Sequence, residues 1–239
     1  MSVKEYYDSH LGRFYSWMTG DFENNQRDFQ EFLVANKMTP RLSGKVLDLG
    51  AGHGIQSVSL AKIGFSVTAL DFNDQLLEEL RLNSQQLSVE ARNADIRLLE
   101  EWKDLELIVC AGDTLSHLED KNQVWKLLRD TFISLASGGK LLLSFRDQSA
   151  ALPQSVQSFL VKEDEGRKLT CKLEFEEEMI RVTDILEEKA GNNWNESVSS
   201  YYKVLLRKTE MIACLENSGF GKIVDTHFKG MVVLIAEKP

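Results

Sequence analysis

The chain has 239 residues, 43% of them apolar, and carries 28 basic against 37 acidic residues for a net charge of −9. That length suits one domain with room for a subdomain, and the acidic balance disfavours nucleic acid or an anionic membrane as main partner. No run of about 18 apolar residues exists to span a membrane, Met1 to Tyr7 lacks the apolar core of a signal sequence, and the scattered Cys110, Cys171 and Cys214 fit a reducing cytoplasm better than a disulfide framework.

Residues 3–36 are dense in aromatic side chains, among them Tyr6, Tyr7, Phe14, Tyr15, Trp17 and Phe22. Helical spacing through Phe22, Phe29, Phe32 and Leu33 predicts two short helices, parted by Met18-Thr19-Gly20-Asp21 and packed as a cap. Most of these rings are expected to pack the cap on the core, with one or two facing the active site, Tyr6, Tyr15 or Trp17 being the candidates. Val46 to Leu49 then gives a buried strand that ends on a turn with Gly50, Gly52 and Gly54. Glycine lets backbone turn tightly and lets a ligand approach. A helical pattern over Ile55 to Ile63 follows, so a helix N-terminus points back at the turn. The spacing is Asp-x-Gly-x-Gly-x-Gly, not the G-x-G-x-x-G of a dinucleotide site. Asp48 before the turn is expected to repel a pyrophosphate and to attract a cation.

A second strand, Phe65 to Asp71, delivers Asp71 about twenty residues further on, where an acid meets ribose hydroxyls. A helix over Asp74 to Asn83 and a strand over Ser88 to Arg92 lead to Asn93-Ala94-Asp95-Ile96. The fourth strand, Leu105 to Ala111, runs into the loop Gly112 to Leu118. A helix from Glu119 to Ala136 is expected to end at Ser137-Gly138-Gly139, before a fifth strand over Lys140 to Phe145 and the dipeptide Arg146-Asp147. The α/β rhythm then stops. Lys168 to Phe175, Met179 to Leu186 and Ser197 to Leu206 suggest three antiparallel strands, with Gly191-Asn192-Asn193 turning between the last two. Alternation sends Tyr201 and Tyr202 to opposite faces. A helix over Lys208 to Asn217 and a hairpin of Phe220 to His227 and Met231 to Glu237, turning at Lys229-Gly230, close the chain.

The Asp48 glycine turn resembles motif I of the class I S-adenosylmethionine-dependent methyltransferases. The resemblance covers roughly 40–147 and 207–237. It implies an α/β fold: a doubly wound seven-stranded methyltransferase sheet, mostly parallel, with an antiparallel C-terminal hairpin strand and a small antiparallel β lid. The expected units are a helical cap at 1–39, a cofactor-binding core at 40–149 and 207–239, and the inserted lid at 150–206. The cofactor implied is S-adenosyl-L-methionine. Its implied contacts are Asp48, Gly50, Ala51, Gly52 and Gly54 at the turn, with Asp71 and Phe72 after the second strand. Asp95 and Ile96 are implied at the adenine, and Ala111, Gly112 and His117 in the loop after the fourth strand.

That loop is similar to the Gly-Asn-Ser-x-x-His-Leu pattern of the glycine N-methyltransferase branch. Gly112, His117 and Leu118 match it, while Asp113 and Thr114 depart. Arg146 and the Tyr201-Tyr202 pair also resemble that branch. Its arginine after a Gly-Asp, thought to hold the cofactor carboxylate, is missing after Gly20-Asp21; Arg13 or Arg27 are the substitutes on offer. No catalytic residue is assigned, and Asp113, His117, Arg146 and Tyr202 are the candidates. No metal is expected. The implied activity is methyl transfer to a small-molecule acceptor (an amine, amino acid or hydroxyl) by in-line displacement in the cytoplasm, with a homo-oligomer allowed for. Two other readings stay open: a non-catalytic regulatory module that binds S-adenosylmethionine, and an NAD(P)-dependent oxidoreductase. The glycine spacing and the lack of a Tyr-x-x-x-Lys pair argue against the latter.

Overall fold

The computed structural model describes residues 3–239. A run of almost unbroken helix opens the chain: α1 (Val3–Tyr6), a π-helical turn (Tyr7–Leu11), a 3-10 turn (Gly12–Phe14) and α2 (Tyr15–Thr19). Gly20, at φ +89°, breaks it. The Asp21 side chain then accepts the Asn24 N–H and starts α3 (Phe22–Ala35). The break falls where Met18 to Asp21 predicted it.

The core alternates β1 (Lys45–Leu49), α4 (Ile55–Lys62), β2 (Ser66–Asp71), α5 (Asp74–Asn83), β3 (Val89–Asn93), β4 (Leu105–Cys110), α6 (Lys121–Ser134) and β5 (Leu135–Phe145). After an insertion come α7 (Lys208–Asn217) and a hairpin of two further strands, Lys222–Phe228 and Met231–Glu237. The seven strands order as Lys222–Phe228, Met231–Glu237, β5, β4, β1, β2, β3. β1 pairs in parallel with β2 and β4, and Met231–Glu237 runs antiparallel to β5. Strands covered on both faces are apolar along their length. Leu47 and Leu49 face α6 and α7 with Ile108, Leu141 and Phe145. Val46 faces α3 and α4 with Val109 and Leu142. Strand order reverses between β1 and β4, the usual crevice of such a sheet.

Three expectations are corrected. Ser137-Gly138-Gly139 does not end a helix before a strand that starts at Lys140; α6 ends at Ser134 and β5 already begins at Leu135. The glycines sit in an irregularity where pairing jumps from Leu105–Leu135 to Leu107–Lys140. A side chain at Gly139 would collide with the Ala136 and Leu105 carbonyls at 2.8 and 2.9 Å. The insertion, moreover, has four strands and not three: β6 (Val156–Glu163), β7 (Arg167–Phe175), β8 (Met179–Ala190) and β9 (Asn193–Val204). With these named, the closing hairpin strands are β10 and β11. β6 is an edge strand with a register shift after Leu160, and its apolar residues, Val156, Phe159, Leu160 and Val161, stand exposed. They do not alternate, so no period of two marks it. Asn193 belongs to β9, paired with Ala190, so Gly191-Asn192 alone makes that turn.

The insertion and the N-terminal helices share one hydrophobic cluster, with Tyr6, Leu11 and Phe14 set against Leu169, Val182 and Tyr201. Tyr6 is fully buried, stacks on Tyr201 at 4.1 Å between centroids, and donates its hydroxyl to buried Asp184. Removing that donor leaves a buried carboxylate oxygen short of a partner. Tyr6→Phe is therefore expected to cost about 1–3 kcal/mol and to lower the melting temperature by roughly 2–12 °C, measurable by calorimetric scanning. Among the described residues no helix is long and apolar enough to cross a membrane.

Candidate functional site

A cavity of about 620 Å³ opens at the carboxyl ends of β1, β2 and β4. Its floor includes Gly50, Gly52, Asp71, Phe72, Ala111 and Gly112, its flank Asp95, Ile96 and His117, and its roof Tyr7, Tyr15, Met179 and Tyr202. The structure thus brings nine of the cofactor-site residues named from the sequence to one cavity.

The turn is built by backbone. Gly50 and Ala51 N–H groups both donate to the Leu70 carbonyl, at 2.8 and 3.0 Å, which ties β1 to β2. Gly50 has φ +74°, and a Cβ there would lie 2.3 Å from Thr114 Cγ2. Gly54 has φ +100°, and a Cβ there would meet Leu80 Cγ at 2.9 Å. Gly54 therefore seats α4 on α5 and does not line the cavity; Ala51 is buried and does not line it either.

Asp48 does not stand at the mouth, and that expectation is corrected. It is 1% exposed, is absent from the cavity wall, and accepts the Ser57 hydroxyl of α4 at 2.6 Å. Burial pushes its carboxyl up to about 7, against the Ser57 bond and with help from the charge of Asp71. The cause of the corrected position is strand alternation: Asp48 shares the face of Val46, which lies under α4. A raised folded-state value means the folded chain keeps a proton that the unfolded chain has lost between about pH 4 and 7. Asp48's contribution to stability therefore falls as pH rises through that window. Asp48→Asn keeps the shape and still accepts from Ser57. Its stability advantage over the native chain is expected to grow by roughly 2–4 kcal/mol between pH 5 and 8, read by urea unfolding.

Asp71 is different. It ends β2, is 8% exposed, and lines the cavity. One oxygen accepts the Gly52 N–H at 2.8 Å and the other the Asn73 N–H at 2.9 Å. Burial raises its carboxyl above the usual range, and these backbone N–H groups oppose the rise. Each oxygen keeps acceptor capacity for a hydroxyl in the cavity. Asp95 lines the cavity but is gripped by Arg97, whose guanidinium reaches both oxygens at 2.6–2.9 Å. Arg97 also meets Glu119 at 3.2 Å and Gln123 at 3.0 Å.

Of the four catalytic candidates, the structure places two on the cavity wall. His117 lines it, stacks on Tyr201 at 5.7 Å and meets the Tyr7 ring edge-on at 5.6 Å. Its Nδ1 is buried without a partner among the described residues. Burial, together with nearby Lys203, drives the imidazole down to about 3, so it is neutral at working pH. Tyr202 lines the cavity and is 46% exposed, while Tyr201 points into the insertion's core. Asp113 and Arg146 do not line it. The Asp113 carboxylate, in a backbone of φ +73°, takes the Lys203 ammonium of β9 at 3.0 Å and the Arg146 N–H at 3.2 Å. The Arg146 side chain is exposed. Neither proposed carboxylate anchor reaches the cavity. Arg13 pairs with Glu188 of β8 at 3.1 Å, and Arg27 binds Asn24.

Of the three aromatic candidates for the crevice, Tyr15 lines it, whereas Tyr6 and Trp17 pack towards the insertion. Tyr7 was missed. It lies across the cavity against Phe72 at 5.5 Å, His117 at 5.6 Å and Tyr15 at 6.2 Å. Its place in a π-helical turn turns it away from Tyr6, which no helical period of 3.6 could reveal.

Comparison with known proteins gives three results. Residues 46–139 match the family described as a methyltransferase domain. A ubiquinone biosynthesis O-methyltransferase of Xanthomonas axonopodis pv. citri is 30% identical over 122 residues, 49% of each chain. One of Coxiella burnetii is 32% identical over 107 residues, 43% of this chain and 44% of its own. The chain spans about half the length of the curated relatives it matches. Among solved structures, an S-adenosylmethionine-dependent methyltransferase of Clostridium acetobutylicum shares 16% identity with TM-score 0.72, over 98% of this chain and 96% of its own. An S-adenosylmethionine-bound amino pentose methyltransferase of Micromonospora echinaspora shares 17% with TM-score 0.75, over 96% and 97%. At such identities the likeness is one of fold. Residues 46–139 therefore resemble a methyltransferase domain, set in a chain whose fold is that of solved S-adenosylmethionine-dependent methyltransferases.

Proposed function

We propose that the chain transfers a methyl group from S-adenosylmethionine to a small-molecule acceptor, an amine, amino acid or hydroxyl. The observation that carries this is the Asp71 carboxylate, held by backbone N–H groups and turned into a cavity it shares with the glycine turn. The residues present fit an adenosyl donor. Asp71 offers acceptors for ribose hydroxyls, Phe72 and Ile96 an apolar slot for a purine, and Gly50, Gly52, Ala111 and Gly112 close backbone approach. Asp48, Ala51 and Gly54 act beneath this surface by holding the turn in shape. The donor's sulfonium supplies an already activated methyl group. What the chain adds is alignment and exclusion of water under Tyr7, Tyr15, Met179 and Tyr202, and alignment alone is worth roughly 7–11 kcal/mol. In this reading residues 3–39 and 150–206 form the roof, the first two residues of the expected 1–39 cap lying outside those described, and 40–149 with 207–239 the cofactor-binding core.

The acceptor atom is open between nitrogen and oxygen. The names of the sequence relatives specify O-methylation in ubiquinone biosynthesis, and that of the Micromonospora echinaspora neighbour an amino pentose. The test has two steps. Calorimetry with S-adenosylhomocysteine should show sub-millimolar binding, with none for NADH. A screen for S-adenosylhomocysteine release over amines, amino acids, phenols and small alcohols should then find turnover. Binding of NADH in place of S-adenosylhomocysteine would end this reading, and tight binding with no turnover on any acceptor would favour a regulatory module.

A further inference from the structure

With ribose at Asp71 and purine at Asp95-Ile96, the amino-acid end of an adenosyl donor falls at the glycine-turn end of the cavity. That placement rests on the function proposed above. The cations on the cavity wall are Lys4 and Arg97. Lys4 pairs with Asp8 at 2.5 Å and lies 5.9 Å from the centre of the Phe72 ring; Arg97 is locked to Asp95 and Glu119. Both belong to the purine end. Among the described residues the charged groups around the glycine turn are Asp71, on the wall, and Asp48, beneath it; Lys203, near enough to act on the Tyr15 hydroxyl, is off the wall and paired with Asp113 at 3.0 Å. His53, behind Tyr15 at 5.3 Å between ring centroids, is kept neutral by burial.

Two neutral polar groups do stand there. Gln56 lies in the first turn of α4 and lines the cavity, and its carboxamide has no hydrogen-bond partner among the described residues. Tyr15 lines the cavity too, and its hydroxyl likewise has none. Its ring covers the turn so closely that a Cβ on Gly52 would lie 3.5 Å from it. A carboxamide and a phenol each donate a hydrogen bond to a carboxylate without bringing a charge.

We propose that this cavity holds the donor's terminal carboxylate through the Gln56 carboxamide and the Tyr15 hydroxyl, in place of any guanidinium or ammonium. The carboxylate then contributes only modestly to affinity, because uncharged donors bind an anion more weakly than a paired ionic fork does. A chain built this way tolerates donor analogues that lack the acid.

The experiment compares S-adenosylhomocysteine with its decarboxylated analogue, amine retained, by isothermal calorimetry on the full chain. The expected loss on decarboxylation is less than roughly tenfold, where an ionic fork would give roughly a hundredfold. Gln56→Glu should weaken S-adenosylhomocysteine by at least about tenfold and leave the decarboxylated analogue within about threefold. Gln56→Arg should tighten only the carboxylate-bearing ligand. Tyr15→Phe, which keeps the ring over Gly52, should weaken only that ligand as well. A hundredfold loss on decarboxylation, or an unchanged S-adenosylhomocysteine affinity in Gln56→Glu, overturns the neutral anchor while the donor assignment stands. Failure of both ligands to bind the native chain overturns the donor assignment and the anchor together.

Discussion

Asp71→Ala is expected to cut S-adenosylhomocysteine affinity by ten- to a hundredfold and to destabilise the fold. The carboxylate has two jobs. Outward, it presents acceptors to the cavity, and each hydrogen bond from a hydroxyl to an ionised acceptor is worth about 1.5–3 kcal/mol. Inward, it satisfies the Gly52 and Asn73 N–H groups at 2.8 and 2.9 Å. Each N–H left buried and unpaired costs about 1–3 kcal/mol, although water entering the new space offsets part of that. Asp71→Asn separates the jobs. Its amide oxygen can still take one N–H, so stability recovers in part, while the loss of charge keeps binding weak. Calorimetry gives the affinities and urea unfolding the stabilities. An unchanged affinity in a folded alanine variant would remove Asp71 from the site.

Lys203→Met carries the second large effect. Asp113 is buried, and Lys203 reaches it from β9 at 3.0 Å. Burial alone would push the Asp113 carboxyl up; Lys203, with the Arg146 N–H among other contacts, holds it below the usual carboxylate value. Taking away one partner of a buried pair leaves an uncompensated charge, at about 3–5 kcal/mol, or roughly 6–20 °C in melting temperature. The pH dependence follows from the lowered value. The pair's stabilisation is fully present above the unfolded carboxylate value, near pH 4, and is lost as pH falls through the folded one. The deficit of Lys203→Met should therefore be largest at high pH and shrink as pH falls below the burial-raised value that the unpaired Asp113 takes, until the native pair is itself protonated. Adding Asp113→Asn should restore much of the loss at neutral pH. A deficit that stays the same at pH 3 would show that Lys203 acts through packing of its stem.

Much of this architecture is legible in the chain. Val46 to Leu49 and Leu105 to Cys110 are apolar except for Asp48 and Glu106, because both faces of their strands are covered, and such runs are hard to mistake. Asp71 follows from its place at the end of a strand that must lie beside the glycine turn. Asp48 shows the limit of reasoning by motif. Its distance from Gly50 suggests a ligand contact, yet alternation along β1 already puts it under α4 with Val46, where Ser57 waits. β6 left no periodic trace because neither of its faces is consistently covered. Arg13 and Arg27 offered charge without position: one is spent on Glu188, more than a hundred residues away, and the other on its own helix. Tyr7 and Gln56 depend on a local irregularity and on a rotation about a helix axis, and neither is encoded in the hydrophobic pattern.

The first helices and the insertion share one interior, and this orders events during synthesis. Tyr6 finds Asp184, and Trp17 finds the carbonyl-seeking Lys162, only once those distant segments have left the ribosome. Until then Tyr6, Leu11 and Phe14 have nothing to cover them. The helices over Val3 to Thr19 are therefore a late-folding, sticky segment, and a chaperone that greets it early would be released when β9 emerges.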